Sequence, residues 1–402
     1  MKIVKFEFED RPEGWKLSET RFNDSLTLLV GASGVGKTMI LQALRKMKSI
    51  VRGNSFTGAH WNIEFVSNEN KHYCWQGAFQ NQGIGGWWVP PEVKEEDRTK
   101  IEWEALSCND KTIIERNQEG ILFFGKKTLK LSSFESALSL FGEEDVIKPV
   151  RGGFGAIRFA DFTDPGKTTL YGSRTTLHST KADLSYVNNT QNEQNINSLE
   201  GIQKADLPHV SKLFLLEKCD PHEFSVLHDR FVSIFPQVQA IKSAPLKNFD
   251  ENRPFTFQDP FFRGMLRIQI KEHGVDRWIE PSKISSGMFR VINQLCDIYL
   301  NPEGTVFLID EFENSLGINC IKEITQDIIS QNRQFQFIVT SHHPYIINNI
   351  DVGYWKLVTR NGGIVKTHSL SDLGCDFTKS HHDTFMQLLQ LEEYRTGQEQ
   401  SQ

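Results

Sequence analysis

The stretch Gly31-Ala-Ser-Gly-Val-Gly-Lys37-Thr38 restricts the fold more than any other part of this 402-residue chain. It follows the apolar run Leu26 to Val30 and precedes Met39-Ile-Leu-Gln-Ala-Leu44, so a buried strand has to turn on glycines into the first turn of a helix. The pattern G-x-x-x-x-G-K-[ST] at such a junction is a phosphate-binding loop. Glycines let backbone N–H groups close around phosphate oxygens, Lys37 reaches the β- and γ-phosphates, and Thr38 offers a hydroxyl to Mg²⁺. The helix dipole adds to the attraction for an anion. Gly31, Ser33, Gly34, Gly36, Lys37 and Thr38 are therefore the expected nucleotide-binding residues, with ATP and Mg²⁺ as the implied ligands.

Composition narrows the remaining choices. The formal net charge is -6, so no global basic field points to nucleic acid; contact with DNA needs a local patch or a partner. Six cysteines (Cys74, Cys108, Cys219, Cys296, Cys320, Cys375) lie far apart without a C-x-x-C pair, and Met1 leads into charged, strand-like sequence instead of a secretion signal. The expectation is a soluble cytoplasmic protein with reduced thiols. No apolar run approaches the roughly 20 residues that span a bilayer.

Along the chain, partial alternation over Met1 to Asp10 predicts a strand, and residues 24 to 30 predict its neighbour feeding the loop. After a helix from Thr38 to about Val51, Trp61 to Val66 and Tyr73 to Phe79 predict a β-hairpin around Asn68-Glu-Asn-Lys71. Shorter strands fit Lys100 to Leu106, Thr112 to Arg116 and Gly120 to Phe124, so 55 to 130 reads as an antiparallel β lobe. From about 131 the pattern becomes helical. Asp220-Pro-His-Glu223 is a helix start, with Phe224, Leu227, Phe231 and Ile234 on one buried face. Asn188 to Asn197 and Arg151-Gly-Gly-Phe-Gly155 read as a loop and a flexible junction. Pro165-Gly-Lys-Thr-Thr169 lacks the upstream glycine of a second phosphate loop, and His381-His382-Asp383 near Cys375 reads as a solvated tail instead of a metal site.

Three further segments bear on the chemistry. Thr305-Val-Phe-Leu-Ile309 is a continuous apolar run ending in Asp310-Glu311. With a phosphate loop present, Asp310 is placed to hold Mg²⁺ and Glu311 to polarise the attacking water. Lys283-Ile-Ser285-Ser286-Gly287-Met-Phe-Arg290 puts hydroxyls and N–H groups at a helix start, which serves either as an anion site or as an ordinary cap. Phe337-Ile-Val-Thr340-Ser-His342-His343-Pro344 is another strand ending in polar groups.

Together these motifs, in this order, resemble the ABC-type ATPases of the SMC/RecF branch, and more narrowly the compact prokaryotic ATPases related to the OLD family. The resemblance covers roughly residues 1 to 50 and 280 to 360. It implies an α/β fold, a P-loop NTPase head of ABC type with an antiparallel β lobe and an inserted helical lobe: 1–130 with the phosphate loop and β lobe, 131–280 as the helical insertion, and 281–402 with the signature, acids and switch. It also implies a head-to-tail homodimer or higher oligomer sandwiching two ATP molecules. In that assembly Ser285, Ser286 and Gly287 would grip the γ-phosphate of the opposite subunit, Ser315 in Asn314-Ser-Leu-Gly317 would lie in the loop that crosses between subunits, and His342 would be the switch histidine, with His343 as the alternative. Gln76, Gln80 and Gln82 are candidates for the Q-loop glutamine, and Trp15 for adenine stacking. Met288 and Phe289 in place of polar signature residues argue against a transporter subunit, and with only about forty residues after the last core strand the expectation is a chain without the nuclease domain that OLD-family proteins carry. By resemblance to the ATPases of Septu and PARIS anti-phage systems, the expected role is a Mg²⁺-dependent ATPase switch or scaffold controlling a separate nuclease effector. A RecF-like clamp on DNA, using Arg45, Lys46, Lys48 and Arg52, is the alternative, and a non-hydrolysing scaffold is disfavoured by Glu311.

Overall fold

The computed structural model describes residues 1–81, 88–89, 98–160, 182–183, 196–205, 207–245, 265–314, 316–330, 333–373 and 381–397. The chain divides into two compact units, one of Met1–Phe159, Glu303–Phe312 and Gln331–Gln402, the other of Ala160–Pro302 and Glu313–Ser330. Among the described residues no helix is long and apolar enough to cross a membrane.

The first unit is organised by a 14-stranded sheet. Its antiparallel part runs in the order Lys126–Lys127, Gly120–Phe123, Lys111–Asn117, Ile101–Cys108, His72–Phe79, Ala59–Val66, Lys2–Asp10 and Trp15–Arg21. The expected β lobe is thus continuous with the core sheet. Ala59, Trp61, Ile63 and Phe65 are buried in alternation with half-buried His60, Asn62, Glu64 and Val66, the period-two pattern of a strand with one covered face. That face is aromatic: the Trp61 and Trp75 ring centroids lie 5.2 Å apart. Gly77 is needed here, because a Cβ would sit 2.5 Å from the Trp61 ring.

Arg151 to Gly155, expected as a flexible junction, belongs to the helix Lys148–Gly155. The glycines concealed its periodicity. Val150 and Phe154 point inward, and Phe154 meets the rings of Phe65 at 5.2 Å and Trp75 at 5.3 Å edge-on. Similarly, His381-His382-Asp383 opens the helix His381–Gln390 instead of a solvated loop, with Phe385 and Leu388 buried one turn apart.

Beyond Trp15–Arg21 the sheet continues through Ile364–Ser369, Trp355–Asn361, Leu26–Val30, Gln336–Thr340, Val306–Ile309 and the edge strand Ile157–Ala160. Leu26–Val30, Gln336–Thr340 and Val306–Ile309 are mutually parallel and buried at every residue, as expected of strands covered on both faces. The buried polar residues of these strands are Thr27, Gln336 and Thr340, and the Gln336 amide is satisfied: Nε2 donates to Ile3 O at 2.7 Å and Asn23 O at 2.9 Å, while Oε1 accepts from Ile3 N at 2.8 Å. The register pairs Thr340 with Leu29 and Ile309 with Val339, so the loops after all three strands leave the same edge. The carboxyl ends of parallel strands are where such folds bind ligands. This is a mixed α/β fold of P-loop ATPase type.

The second unit contains the expected helices. Asp220 caps Pro221–Ile234, its Oδ1 accepting from Glu223 N at 3.2 Å, and Leu227, Phe231 and Ile234 are buried on one face. Arg230 on that helix bonds Asp327 at 2.9 Å and Glu323 at 3.1 Å on the helix Ile318–Ile329. The helical reading missed a three-stranded antiparallel sheet in this unit, Ala182–Asp183, Met265–Glu272 and Val238–Pro245. Leu266, Ile268 and Ile270 are buried in strict alternation, a strand signal present in the sequence. Ile196, at the end of the expected loop 188–197, is buried; residues 188–195 and Pro165 to Thr169 lie outside the described residues.

Candidate nucleotide site

Lys37–Val51 forms the helix after the phosphate loop, burying Ile40, Leu41, Ala43, Leu44, Met47, Ile50 and Val51 at helical spacing. Gly31, Gly34 and Gly36 have φ of +146°, +85° and +104°, conformations that L side chains rarely adopt. At Gly31 the constraint is also spatial, since a Cβ would stand 2.6 Å from Val358 O. Gly36 is the N-cap and makes no side-chain cap bond. The helix therefore starts without the serine or aspartate that would ordinarily satisfy its first N–H groups, the arrangement an incoming phosphate completes. Lys37 Nζ donates to Gly31 O and Ala32 O, both at 2.8 Å, which folds the ammonium back over the loop. Ser33 and Gly34 are exposed at its tip.

The acidic pair follows Val306–Ile309. Asp310 Oδ1 accepts from Thr38 Oγ1 at 3.1 Å and from Thr340 Oγ1 at 2.6 Å. The three segments converge on one carboxylate oxygen although Thr38 and Asp310 are far apart in sequence. Thr340 Oγ1 also accepts from Glu311 N at 2.8 Å, and Phe312 N donates to Thr340 O at 3.0 Å. Glu311 is exposed and has a φ of +45°, a left-handed conformation that disfavours a residue with a Cβ. The polar bonds around it and the buried Phe312 hold the turn in place.

Thr340 was not among the expected site residues. Its sequence signal is weak: it is simply the polar residue that ends an apolar strand. Only the strand order, with Gln336–Thr340 lying between Leu26–Val30 and Val306–Ile309, puts its hydroxyl beside both acids.

The two histidines differ in their surroundings. His343 is the N-cap of the helix Pro344–Asn349, its Nδ1 accepting from Tyr345 N at 3.2 Å, whereas His342 is exposed. Ser341 is buried, and its Oγ accepts from His343 N at 3.1 Å.

In the second unit, Ser285 is the N-cap of Ser286–Leu300, its Oγ accepting from Met288 N at 3.2 Å. Both readings of this segment thus remain compatible with its geometry: the hydroxyl caps the helix, yet Ser285 and Ser286 are exposed and Gly287 is half-buried. Met288 and Phe289 are buried, which explains their apolar character. Asn314 and Gly317 are exposed; Ser315 lies outside the described residues.

Of the Q-loop candidates, Gln76 is half-buried in mid-strand, Gln80 is exposed at the strand end, and Gln82 lies outside the described residues. Trp15 is buried against Phe8, ring centroids 5.6 Å apart. The basic helix face is largely engaged within the first unit: Lys46 pairs with Asp10, Lys48 Nζ donates to Ile157 O, and Arg45 lies over the Phe159 ring.

The donor set fits Mg²⁺. Thr38 Oγ1 and Asp310 Oδ1 are hard oxygen ligands side by side, and Mg²⁺ characteristically takes one or two protein oxygens together with phosphate oxygens and water. Among the described residues there is no group of three or more His, Cys, Asp and Glu that would form an all-protein metal cage.

A family profile described as "AAA domain, putative AbiEii toxin, Type IV TA system" matches residues 189–348, less than half of the chain. The match begins after the phosphate loop and includes Ser285, Asp310, Glu311 and His342. No curated protein matches. Among solved structures, an Smc head bound to the C-winged helix domain of ScpA is 15% identical with a TM-score of 0.49, covering 93% of this chain and 99% of its own. A Pyrococcus furiosus Smc head with an extended coiled coil, bound to the C-terminal domain of ScpA, is 14% identical with a TM-score of 0.45, covering 93% and 98%. The SMC head domain from Thermotoga maritima is 13% identical with a TM-score of 0.38, covering 92% and 99%. The assignment of fold type here rests on the parallel strand order and the loop geometry.

Proposed function

We propose that the chain is a Mg²⁺-dependent ATPase whose nucleotide-driven self-association acts as a switch for a separate effector, a nuclease, in prokaryotic anti-phage defence. The observation that carries the ATPase reading is the convergence of Thr38, Asp310 and Thr340 at the mouth of the phosphate loop. ATP with Mg²⁺ supplies the γ-phosphoryl group and the charge neutralisation that its transfer to water requires. Lys37 and the loop N–H groups bind the phosphates, Thr38 and Asp310 hold the metal, Glu311 orients and accepts a proton from the attacking water, and His342 contacts the γ-phosphate end. His342 is the more exposed of the two histidines, which supports it for this part.

The switch component of the proposal follows from the second set of motifs. Exposed Ser285 and Ser286, with half-buried Gly287, form a helix start suited to complete the site of another copy, with Ser315 in the crossing loop. ATP then ties two copies together only while both halves of each site are filled, so hydrolysis resets the assembly. The family description naming a TA system supports a two-component arrangement in which this chain works with a partner. The effector's identity as a nuclease and the defence role rest on resemblance to the Septu and PARIS ATPases.

The test is the solution mass of Glu311→Gln with Mg²⁺, with and without ATP, alongside Lys37→Ala. An ATP-dependent doubling of mass in Glu311→Gln, absent in Lys37→Ala, is expected. A mass independent of ATP in Glu311→Gln refutes the switch, and unchanged ATP affinity in Lys37→Ala refutes the site itself.

A further inference from the structure

Val35, in the middle of the phosphate loop, is buried between two glycines. Its Cγ2 stands 3.3 Å from the point where Gly31 would carry a Cβ, and its Cγ1 falls within the space that a Cβ on Gly397 would occupy. Gly31 belongs to the loop itself. Gly397 comes from the other end of the sequence and closes the helix Glu392–Thr396 with a φ of +71°, its N–H donating to Glu393 O at 2.9 Å.

The carbonyl of Gly397 has a separate task. The parallel ladder between Trp355–Asn361 and Leu26–Val30 stops at the pair Leu357 and Val30, because Val30 is followed by the phosphate loop. Further along the same strand, Arg360 N donates to Gly397 O at 2.6 Å, so the turn takes up a strand N–H beyond the point where the ladder ends. An apolar contact to Val35 and a hydrogen bond to Arg360 thus seat the buried Gly397 against both the loop and the strand beside it. The segment arrives there from the opposite end of the site. The helix His381–Gln390 packs on Pro344–Asn349, the helix that His343 caps. Leu391 N donates to Gln387 O and Leu388 O, both at 3.2 Å, which leads directly into Glu392–Thr396. All of these residues belong to the first unit.

We propose, on the reading of Gly31 to Thr38 as a phosphate loop, that Gly397 is a positioning residue of the nucleotide site: through Val35 it holds the loop in the form that accepts phosphate. A glycine-rich loop is pliable, and its N–H groups bind an anion well only where they are held converging. Ser33 and Thr38 are exposed, so buried Val35 is the side chain by which the loop is fixed to the rest of the unit. A glycine at 397 leaves room for it. By linkage, ATP bound at the loop stabilises residues 392–397 to the same extent as that turn strengthens ATP binding.

Binding of ATP with Mg²⁺ to the full chain is measured by calorimetry for the wild type and its variants. Gly397→Ala drives a methyl group into Val35 and should weaken binding about 10- to 100-fold, the range for groups displaced by about 1 Å. Adding Val35→Ala removes the overlap, since Val35 Cβ and Ala32 Cβ stand 3.8 and 3.7 Å from the new methyl, ordinary contact distances. The double variant should therefore bind within about threefold of Val35→Ala alone, the non-additivity of two residues in contact. Gly362→Ala has a φ of +57° and nothing within 4 Å of the added Cβ, so it brings comparable backbone strain without the contact and should bind as the wild type does. Wild-type affinity in Gly397→Ala, no recovery in the double variant, or an equal loss in Gly362→Ala overturns the proposal. If Gly397→Ala fails to fold in a thermal melt, the wild type carries the test: amide exchange over residues 392–397 should slow on addition of ATP and Mg²⁺, and unchanged exchange overturns the proposal. A wild type that does not bind ATP refutes the phosphate-loop reading and this assignment together, whereas ATP binding to which Gly397→Ala is indifferent refutes this assignment alone.

Discussion

Thr340 is held in two hydrogen bonds that define its work, donating to Asp310 Oδ1 and accepting from Glu311 N. It touches no reacting atom and is a positioning residue. Thr340→Val keeps the shape and removes both side-chain bonds, leaving the Glu311 turn held only by the Phe312 N–Thr340 O bond and the buried Phe312 ring. We expect kcat to fall about 10- to 100-fold, from the loss of one or two bonds to charged or strained groups, while ATP affinity changes little. Thr340→Ser should restore most of the rate. Equal loss of affinity and rate in Thr340→Val would show instead that the residue shapes the binding loop. Glu311 itself occupies left-handed backbone space that costs a side-chain-bearing residue roughly 1–2 kcal/mol. Glu311→Gly should therefore abolish turnover yet stabilise the fold by up to about 1 kcal/mol in urea titration, the gain being trimmed by the greater freedom of glycine in the unfolded chain. A destabilised Glu311→Gly protein would contradict the strain.

At the scale of elements, the strand–loop–helix of Leu26 to Val51 was legible because every contributing signal is local: an apolar run, glycines at fixed offsets, and buried residues recurring at helical spacing. The capped start of Pro221–Ile234 was legible for the same reason. Lys148–Gly155 was not, because three of its residues are glycines, poor helix formers in isolation. What retains it is the packing of Phe154 on Phe65 and Trp75, contacts with distant strands. Phe154→Ala should cost about 3–5 kcal/mol in chemical denaturation, as expected for a fully buried aromatic side chain. A loss under 1 kcal/mol would mean that this helix is not docked.

For the molecule as a whole, the serine at the start of Ser286–Leu300 carries two readings that one substitution can separate. Ser285→Asp retains a capping oxygen for Met288 N but sets a negative charge where another copy's γ-phosphate would approach. Thermal stability should hold while ATP-dependent self-association is lost; association at wild-type strength would leave Ser285 as a cap alone.

The sequence by itself determined the phosphate loop, the acidic strand end and the sign of the net charge, since each is written in contiguous residues or in composition. Tertiary structure decided which groups meet. It placed Gln336–Thr340 between the loop strand and the acidic strand, made Thr340 the link between Asp310 and Glu311, and assigned His343 to a helix cap. It also set Gly397 against Val35 of the phosphate loop. Hydrogen bonds between residues hundreds of positions apart leave no periodic trace along the chain; they arise only when strand order and register fix the ends of the sheet.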